Sequence, residues 1–270
     1  MYDDADNRKL TPDSAVSEKL MYAWGYFRRI DSLAVRGLPG AREKLAEFDR
    51  NTLTYDADRL YNMLIQHRKF YSSFLITVKD DKMRAGAKKK RLCDYIRMSD
   101  SLIDEMFELS ETEIRMEFLH AVSYVVRNHA AMYMTFTFLF RNDDELIARY
   151  GQQCMAFSEK IPELFRHGCE SYTLPVCIYA AESLVRLERF DEAEQMRQQY
   201  LDGYDETRAR ILRTQPYTDT RMSMIESLSV IYYVLTSIRN PEETEERMKY
   251  YEKISGDKRL AVTKIVSRHI

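Results

Sequence analysis

The chain has 270 residues, enough for one large domain or two small ones with hydrophobic cores of their own. Hydrophobic residues make up 45% and charged residues 31%, a balance that excludes an intrinsically disordered chain. The formal net charge of -2 excludes a protein that is basic over its whole surface, as many nucleic-acid binders are.

Turn-forming residues are scarce, with 8 glycines and 6 prolines, which favours long helices over a sheet. Residues 1–13 are polar and acidic, and we expect them to form a flexible N-terminus. Apolar residues at helical spacing then predict helices over about 13–30, 55–78 and 92–106. The sequence Gly37-Leu38-Pro39-Gly40 predicts a break after the first of these helices.

The stretch from Phe118 to Phe140 contains one formally charged residue, Arg127, and is long enough to span a bilayer. However, Arg127, Asn128 and His129 lie together at its middle, where a charged side chain costs about 2.5–3.5 kcal/mol. We therefore expect two buried helices that meet near Asn128. A capping box at Ser110-Glu111-Thr112-Glu113 is expected to open the first of them.

Signals for helix starts recur through the C-terminal half. Asn142-Asp143-Asp144-Glu145 supplies an N-cap and places acidic residues in a first turn. Thr173-Leu174-Pro175 and Asn240-Pro241-Glu242-Glu243 predict two further starts, with proline where its missing amide costs little. Between them, apolar residues from Met222 to Ile238 form one continuous helical face. The whole chain predicts eleven to thirteen helices, an all-α array of antiparallel helical hairpins.

The segment from Ala180 to Met196 reads AAESLVRLERFDEAEQM, in which small residues, a leucine, an aromatic residue and Asp-Glu-Ala surround a turn. It resembles the centre of a tetratricopeptide repeat, TPR. In that comparison Ala181 and Ala193 are the small residues of two antiparallel helices that meet near Glu188-Arg189. The resemblance implies a solenoid-like, TPR-like C-terminal half whose concave face binds peptides or proteins. Any well-capped helical hairpin could also produce this string.

These signals divide the chain into the N-terminus 1–13, a helical region 14–140 and the TPR-like hairpins 141–270. A mobile basic loop is expected at 79–91. Its candidates for contact with an anionic partner are Lys79, Lys82, Arg84, Lys88, Lys89, Lys90 and Arg91. Extended to 67–97, this segment could neutralise nucleic-acid phosphates, although a solvated loop is the simpler interpretation.

The tyrosine content is high, with 19 in the chain. Tyr232-Tyr233 and Tyr250-Tyr251 are expected on late helices, where only one tyrosine of each pair can face the core. Exposed aromatic residues are enriched at protein interfaces. Tyr233 and Tyr250 are therefore candidates for contact with a protein partner.

The cysteines Cys93, Cys154, Cys169 and Cys177 show no CxxC pairing and mostly lie in apolar helical patterns. We expect them to be reduced core thiols and expect no metal site. The N-terminal residues Met1-Tyr2-Asp3-Asp4-Ala5-Asp6 lack the basic start and apolar run of a signal peptide. These observations predict a cytoplasmic protein without a membrane span.

The spacing of one arginine–histidine pair matches the signature of a class of helical enzymes. Arg115 and His120 are separated as in helical ribonucleases of the HEPN class, which place the two side chains across a dimer cleft. With 27 arginines and 5 histidines in the chain, at least one such pair is expected by chance.

The sequence therefore predicts a non-enzymatic helical-repeat adaptor or regulatory protein that binds a protein or peptide, with no cofactor. Two alternatives remain open at this point. One is a nucleic-acid-associated helical protein that uses residues 67–97, and the other is an all-helical enzyme such as a HEPN-type ribonuclease. The oligomeric state is not predicted.

Overall fold

A computed structural model describes residues 15–50, 59–109, 119–201, 203–243 and 256–269. Twelve α-helices and one short 3-10 helix occur within these ranges, and no strand does. The prediction of an all-α protein is thereby confirmed for the described residues. Within the same ranges, no helix combines the length and the apolar character that crossing a bilayer requires. The contacts divide the chain into two compact units, residues 1–132 and 133–270.

The first unit is a bundle of helices around α3. Its elements are α1 (Ala15–Val35), α2 (Ala41–Arg50), α3 (Arg59–Val78), α4 (Ala85–Phe107) and the first part of α5 (Leu119–Leu139). α3 packs against α1, α2 and α4, and α2 also packs against α1. Fully buried side chains at helical spacing form the core, among them Phe27, Ile30, Leu60, Leu64, Phe74, Leu92, Ile96 and Ile103.

The break predicted at Gly37-Leu38-Pro39-Gly40 separates α1 from α2. Gly37 has a φ of 65° and Gly40 a φ of 93°, a region that residues with a Cβ rarely adopt. Glycine at both positions therefore allows the chain to reverse within a few residues.

The second unit contains the end of α5 and seven further α-helices. They are α6 (Asp144–Lys160), α7 (Glu163–Arg166), α8 (Glu170–Arg186), α9 (Phe190–Tyr200), α10 (Tyr204–Thr214), α11 (Thr218–Arg239) and α12 (Gly256–His269). A 3-10 helix at Pro241–Glu243 follows α11. α8 is the central helix, because it packs against α6, α9, α10 and α11, whereas α12 packs on α11.

The two packed helices predicted on either side of Glu188-Arg189 are confirmed as α8 and α9, although α8 begins earlier than predicted. Its turn is a Schellman motif, in which the Arg189 amide donates to the Leu184 carbonyl (2.9 Å) and the Glu188 amide to the Val185 carbonyl (3.0 Å). Glu188 takes the left-handed conformation that the motif requires, with a φ of 60°. Ala181 and Ala193, the two predicted small positions, are both fully buried.

A closer helix contact lies on the other side of α8, where it crosses α6. A Cβ atom added to Gly151 of α6 would lie only 2.1 Å from the Cβ atom of Ala180. Only glycine at this position lets the two backbones approach so closely. The sequence analysis did not single out Gly151, because nothing local distinguishes it from a weak point in a helix.

The α6 start was predicted correctly. Asp143 is the N-cap, and its carboxylate accepts a hydrogen bond from the Leu146 amide at 3.2 Å. Asp144 and Glu145 follow in the first turn, where negative charge is favourable to the helix dipole.

The predicted start of α8 at Thr173-Leu174-Pro175 is wrong, because the helix begins at Glu170 and contains Pro175 in its interior. Proline there cannot donate to the carbonyl of Ser171, four residues earlier. The side chain of Gln215 replaces the missing donor, with its Nε2 atom 2.9 Å from that carbonyl oxygen. A hydrogen bond from a distant residue thus compensates for a proline inside α8, whereas local rules place proline at the start of a helix.

The predicted basic loop is also too long. α4 begins at Ala85, so only residues 79–84 connect α3 to α4, and Lys88, Lys89, Lys90 and Arg91 are helical. Alanine, lysine and arginine are strong helix formers, and they outweigh the single glycine, Gly86, in the first turn.

The predicted pair of helices near Asn128 is a single helix, α5, which runs unbroken from Leu119 to Leu139. The polar residues at its middle do not interrupt it, because the chain has no proline or glycine there. The fully buried His129 instead finds a polar partner, with its Nε2 atom 2.6 Å from Asp100 Oδ1. The capping box at Ser110-Glu111-Thr112-Glu113 lies outside the described residues.

Candidate functional site

The predicted basic residues lie in the turn between α3 and α4 and in the first turns of α4. Lys79, Lys82, Arg84, Lys90 and Arg91 are exposed, and Lys88 and Lys89 are partly buried. The Lys88 Nζ atom donates to the Val78 carbonyl oxygen at 3.2 Å, at the end of α3. Lys88 of α4 therefore ties the end of α3 to the start of α4.

The start of α4 is electrostatically unusual. Arg84 is the N-cap and makes no capping hydrogen bond with its side chain, and the first turn contains no acidic residue. The N-terminal end of a helix carries a partial positive charge, which basic side chains do not offset. Both the helix dipole and the neighbouring lysines would therefore favour an anion at this end of α4.

A cleft of about 460 Å³ lies beside this turn, between it and the Gly37–Gly40 break. Arg42, Lys79 and Lys82 line the cleft, together with Asp80. Asp80 accepts hydrogen bonds from the Arg42 side chain and from the Lys82 amide. The hydrogen bond from Arg42 lowers the pKa of Asp80, so this carboxylate stays ionised and offsets part of the basic charge.

The side chains of His67 and Arg68, at the start of the predicted segment 67–97, are buried in the core and cannot contact a nucleic acid. His67 is fully buried and Arg68 is 4% exposed. Arg68 forms an ion pair with Asp31 of α1, and its guanidinium carbon lies 5.3 Å from the centroid of the Trp24 ring. The candidate anion-binding surface therefore excludes His67 and Arg68 and includes the exposed basic residues between 79 and 97.

His67 has an unusual environment for a polar side chain. Neither ring nitrogen has a hydrogen-bond partner among the described residues. Its ring packs edge-on against the ring of His129, with the centroids 6.3 Å apart. Burial, with smaller contributions from His129 and Arg68, lowers the pKa of His67 well below its ordinary value. His67 is therefore neutral in the folded protein.

The second unit contains a cleft of about 490 Å³ that is lined mainly by polar side chains. It lies where the start of α6, the second half of α8, the first half of α11 and the start of α12 come together. Its charged lining residues are Arg141, Asp144, Glu182, Arg186, Glu226 and Lys258. We call this site the polar cleft.

Ion pairs hold most of these charges in place. Glu182 is only 3% exposed, and its Oε1 atom lies 2.7 Å from Arg186 Nη1 and 3.1 Å from Lys258 Nζ. Arg186 also binds Asp144, with its Nε atom 2.9 Å from Asp144 Oδ1. A buried carboxylate without a partner is strongly destabilising, so Arg186 and Lys258 are needed to keep Glu182 in this position.

Two further side chains complete the wall of the polar cleft. The Tyr179 hydroxyl donates to Ser223 Oγ at 3.1 Å, which connects α8 to α11. Burial raises the pKa of Tyr179, so its phenol stays protonated and can act as a hydrogen-bond donor. Arg141 is exposed at the rim and forms no ion pair within the described ranges.

Tyr233 is not the exposed contact residue that the sequence predicted, because it is only 2% exposed on α11. Tyr232 is 8% exposed, so both tyrosines of the pair are buried. The prediction would hold for a helix that is covered on one face, whereas α8, α9, α10 and α12 all pack around α11. The second candidate, Tyr250, and Arg115 of the ribonuclease-like pair lie outside the described residues.

The cysteines are free thiols, and Cys154, Cys169 and Cys177 are buried. Burial raises the pKa of Cys177 to about 12, so it stays a protonated thiol at neutral pH. Across the described parts of the chain, no group of three or more histidine, cysteine or acidic residues is placed to hold a metal ion.

No protein-family model, curated protein or solved structure matches the chain significantly. The geometry of the clefts and the chemistry of their side chains therefore carry the functional argument.

The sequence analysis missed the polar cleft, because its residues come from positions between 141 and 258. One local signal could have indicated it. Glu182 interrupts the otherwise uncharged stretch from Ser171 to Val185, and Arg186 follows four residues later on the same helix face. A charged pair on a helix that is buried on all sides requires polar partners from other helices.

Proposed function

We propose that this chain is a non-enzymatic helical scaffold that binds another protein, and that the polar cleft receives a segment of that protein. The arrangement of the cleft charges carries the proposal. Asp144, Glu182 and Arg186 are held by one another, so this part of the cleft is organised before any partner arrives. Preorganised polar groups reduce the entropic cost of binding.

The chemistry of the polar cleft fits a polypeptide segment. Its charged lining residues are three acidic and three basic side chains, so the cleft has no large charge of one sign. Such a surface can pair with backbone amides, carbonyls and side chains of either charge, whereas a phosphate-rich ligand needs a basic site. Arg141, exposed at the rim, supplies a cation for an acidic group of the partner.

The resemblance of residues 180–196 to a tetratricopeptide repeat supports the same function. The hairpin of α8 and α9 is the element that carries the resemblance, and α8 also supplies Tyr179, Glu182 and Arg186 to the polar cleft. In that family, helical hairpins bind peptides or proteins, which is the role we propose here.

Replacing Arg141 with glutamate should reduce partner binding about tenfold, because it reverses the charge that faces the partner. Binding is measured by quantitative affinity capture, with the tagged chain as bait and a lysate of its native host as the source of partners. Arg149→Glu is the matched control, since Arg149 is exposed on α6 outside the polar cleft. The proposal requires a protein whose capture is lost with Arg141→Glu and retained with Arg149→Glu. Equal capture by both variants would exclude the polar cleft as the binding site.

A second candidate function is contact with a nucleic acid or another polyanion through residues 79–97. The observation that favours it is the start of α4, where exposed lysines and arginines surround a helix N-terminus without an acidic residue. Binding of this kind releases counterions and weakens steeply as the salt concentration rises.

Reversing the charges of Lys88, Lys89 and Lys90 to glutamate should abolish any salt-sensitive binding to RNA or DNA. The fold should survive, because glutamate near a helix N-terminus interacts favourably with the dipole. Binding is measured by fluorescence anisotropy with generic single- and double-stranded probes over a salt series. The control reverses Arg149, Lys160 and Arg213 in the second unit. If the unmodified chain binds no probe at low salt, the basic surface has no role of this kind.

A further inference from the structure

The last described helix, α12, contacts the rest of the second unit through a narrow apolar stripe. Val262, Ile265 and Val266 are 4–6% exposed, at the spacing of one helix face. The other side chains described in α12 are exposed or half-buried, and Leu260 is 59% exposed. α12 therefore lies on the surface of the unit with three aliphatic anchors.

Acidic residues bind both ends of α12. Near its start, Lys258 Nζ lies 3.1 Å from Glu182 Oε1 and 3.5 Å from Glu226 Oε2, in the polar cleft. At its end, Arg268 Nη2 and His269 Nε2 lie 2.6 Å and 2.8 Å from the two oxygens of Glu188. The surface under α12 thus combines an apolar centre with acidic ends, and α12 is complementary to it in both respects.

Tyr233 lies on the face of α11 that carries Glu226, the residue to which Lys258 of α12 binds. It follows Glu226 by seven residues and therefore lies two turns further along the same face of α11. Burial raises the pKa of Tyr233, and the positive charge of Arg259 in α12 partly opposes this shift. The tyrosine that the sequence marked as a protein contact is thus buried close to this chain's own last helix.

We infer that α12 occupies a binding groove on α8 and α11, and that the partner presents a basic amphipathic helix that displaces α12 and supplies a basic residue in place of Lys258. This inference rests on the proposed function and specifies the partner's chemistry. The partner needs aliphatic residues at helical spacing and a basic residue at each end of that stripe, because the groove accepts these features from α12.

The contacts of α12 are of a kind that a competitor can replace. Only three aliphatic side chains are buried, and a helix of this length has little stability by itself in water. The side chains of Lys258, Arg268 and His269 are 34%, 59% and 35% exposed, so their ion pairs are screened by salt. The central helix α8, by contrast, is buried along most of its length.

The first test uses a fluorescein-labelled peptide of residues 256–270 and the full-length chain. A released variant carries Val262→Asp and Ile265→Asp, which remove two anchors from the chain's own α12. The matched control carries Leu260→Asp and Ala261→Asp on the exposed side of the same helix. In fluorescence anisotropy we expect the released variant to bind the peptide at least about tenfold more tightly than the unmodified chain or the control. In the unmodified chain α12 occupies the groove, so the apparent affinity for the peptide falls in proportion to the fraction of molecules whose groove is open.

Adding Glu226→Lys to the released variant should weaken peptide binding about tenfold, because it removes a partner of the peptide's Lys258. If the released variant is folded by circular dichroism and binds the peptide no better than the control, α12 is not a displaceable occupant. That result would leave the capture experiment with Arg141→Glu unaffected, since the peptide assay involves no cellular partner.

A second measurement needs no variant. Amide hydrogen exchange of the unmodified chain should be at least about a hundredfold faster in α12 than in the buried part of α11, because α12 opens without unfolding the unit. Equal protection of α11 and α12 would show that the two helices open together, and would overturn the inference even if the released variant failed to fold.

Discussion

Replacing Gly151 with alanine is expected to lower the free energy of unfolding of the second unit by about 1–3 kcal/mol. The added Cβ atom would lie 2.1 Å from the Cβ atom and 3.5 Å from the Cα atom of Ala180. Neither atom belongs to a flexible side chain, so α6 and α8 must separate and lose packing along their contact. Thermal unfolding followed by circular dichroism measures the effect as a lower Tm.

Two control variants separate this contact from the general effect of removing a glycine. Gly25→Ala in α1 introduces a Cβ with no atom within 4 Å, so it should stabilise the chain by about 0.5–1 kcal/mol. Combining Gly151→Ala with Ala180→Gly returns space to the crossing and should recover part of the lost stability. A Gly151→Ala variant that melts at or above the temperature of the parent would show that α6 and α8 do not cross at this point.

The first unit should lose stability between pH 7 and pH 5 because of His67, by up to about 2 kcal/mol, the limit for a histidine that stays neutral throughout this range. In the unfolded chain this histidine takes up a proton near pH 6.5, whereas burial keeps it neutral in the folded unit to a lower pH. Below pH 6.5 the unfolded state therefore binds more protons, and stability falls as the pH falls. Arg68 and His129, its charged or titratable neighbours, further oppose a positive charge on His67.

A His67→Leu variant should remove most of this pH dependence and be at least as stable as the parent at pH 7. The ring nitrogens of His67 are buried without a hydrogen-bond partner, a defect that costs about 1–3 kcal/mol, and leucine removes it. Urea unfolding at pH 7 and pH 5 can be followed through Trp24, the only tryptophan in the chain, which lies in the first unit. His167→Leu is the control, since His167 is exposed in the second unit. An unchanged pH dependence in His67→Leu would contradict the assigned burial.

The regular elements were predictable because their causes are local. Helical spacing of apolar residues indicated α3 and α11, the Asp143 cap indicated the start of α6, and the two glycines between 37 and 40 indicated the first reversal. The hairpin of α8 and α9 was predictable for the same reason. One error arose where a distant residue intervened, since Gln215 satisfies the carbonyl that Pro175 leaves without a donor. The errors at the start of α4 and in the middle of α5 were local, because helix-forming residues outweigh Gly86 and α5 contains no proline or glycine.

Whether a candidate site could be found from the sequence depended on whether its residues are neighbours in the chain. The basic residues from Lys79 to Arg91 could be found from sequence alone, because they are consecutive or nearly so, although their helical conformation from Ala85 was missed. The polar cleft could not be found, because Glu182 gains Lys258 as a partner only when α8 and α12 come together. Tyr233 was misplaced because its exposure depends on how many helices surround α11.

The amino-acid sequence by itself determined the all-α composition and most helix positions, since helix formation depends on neighbouring residues and on spacing along one chain segment. Only the tertiary structure decided which charged side chains meet, which helix face is covered, and where two backbones touch at Gly151 and Ala180. These features depend on residues far apart in sequence, and their energies arise from burial and from pairing at distances of a few ångströms. A linear pattern contains the residue types for such contacts but not the distances between them.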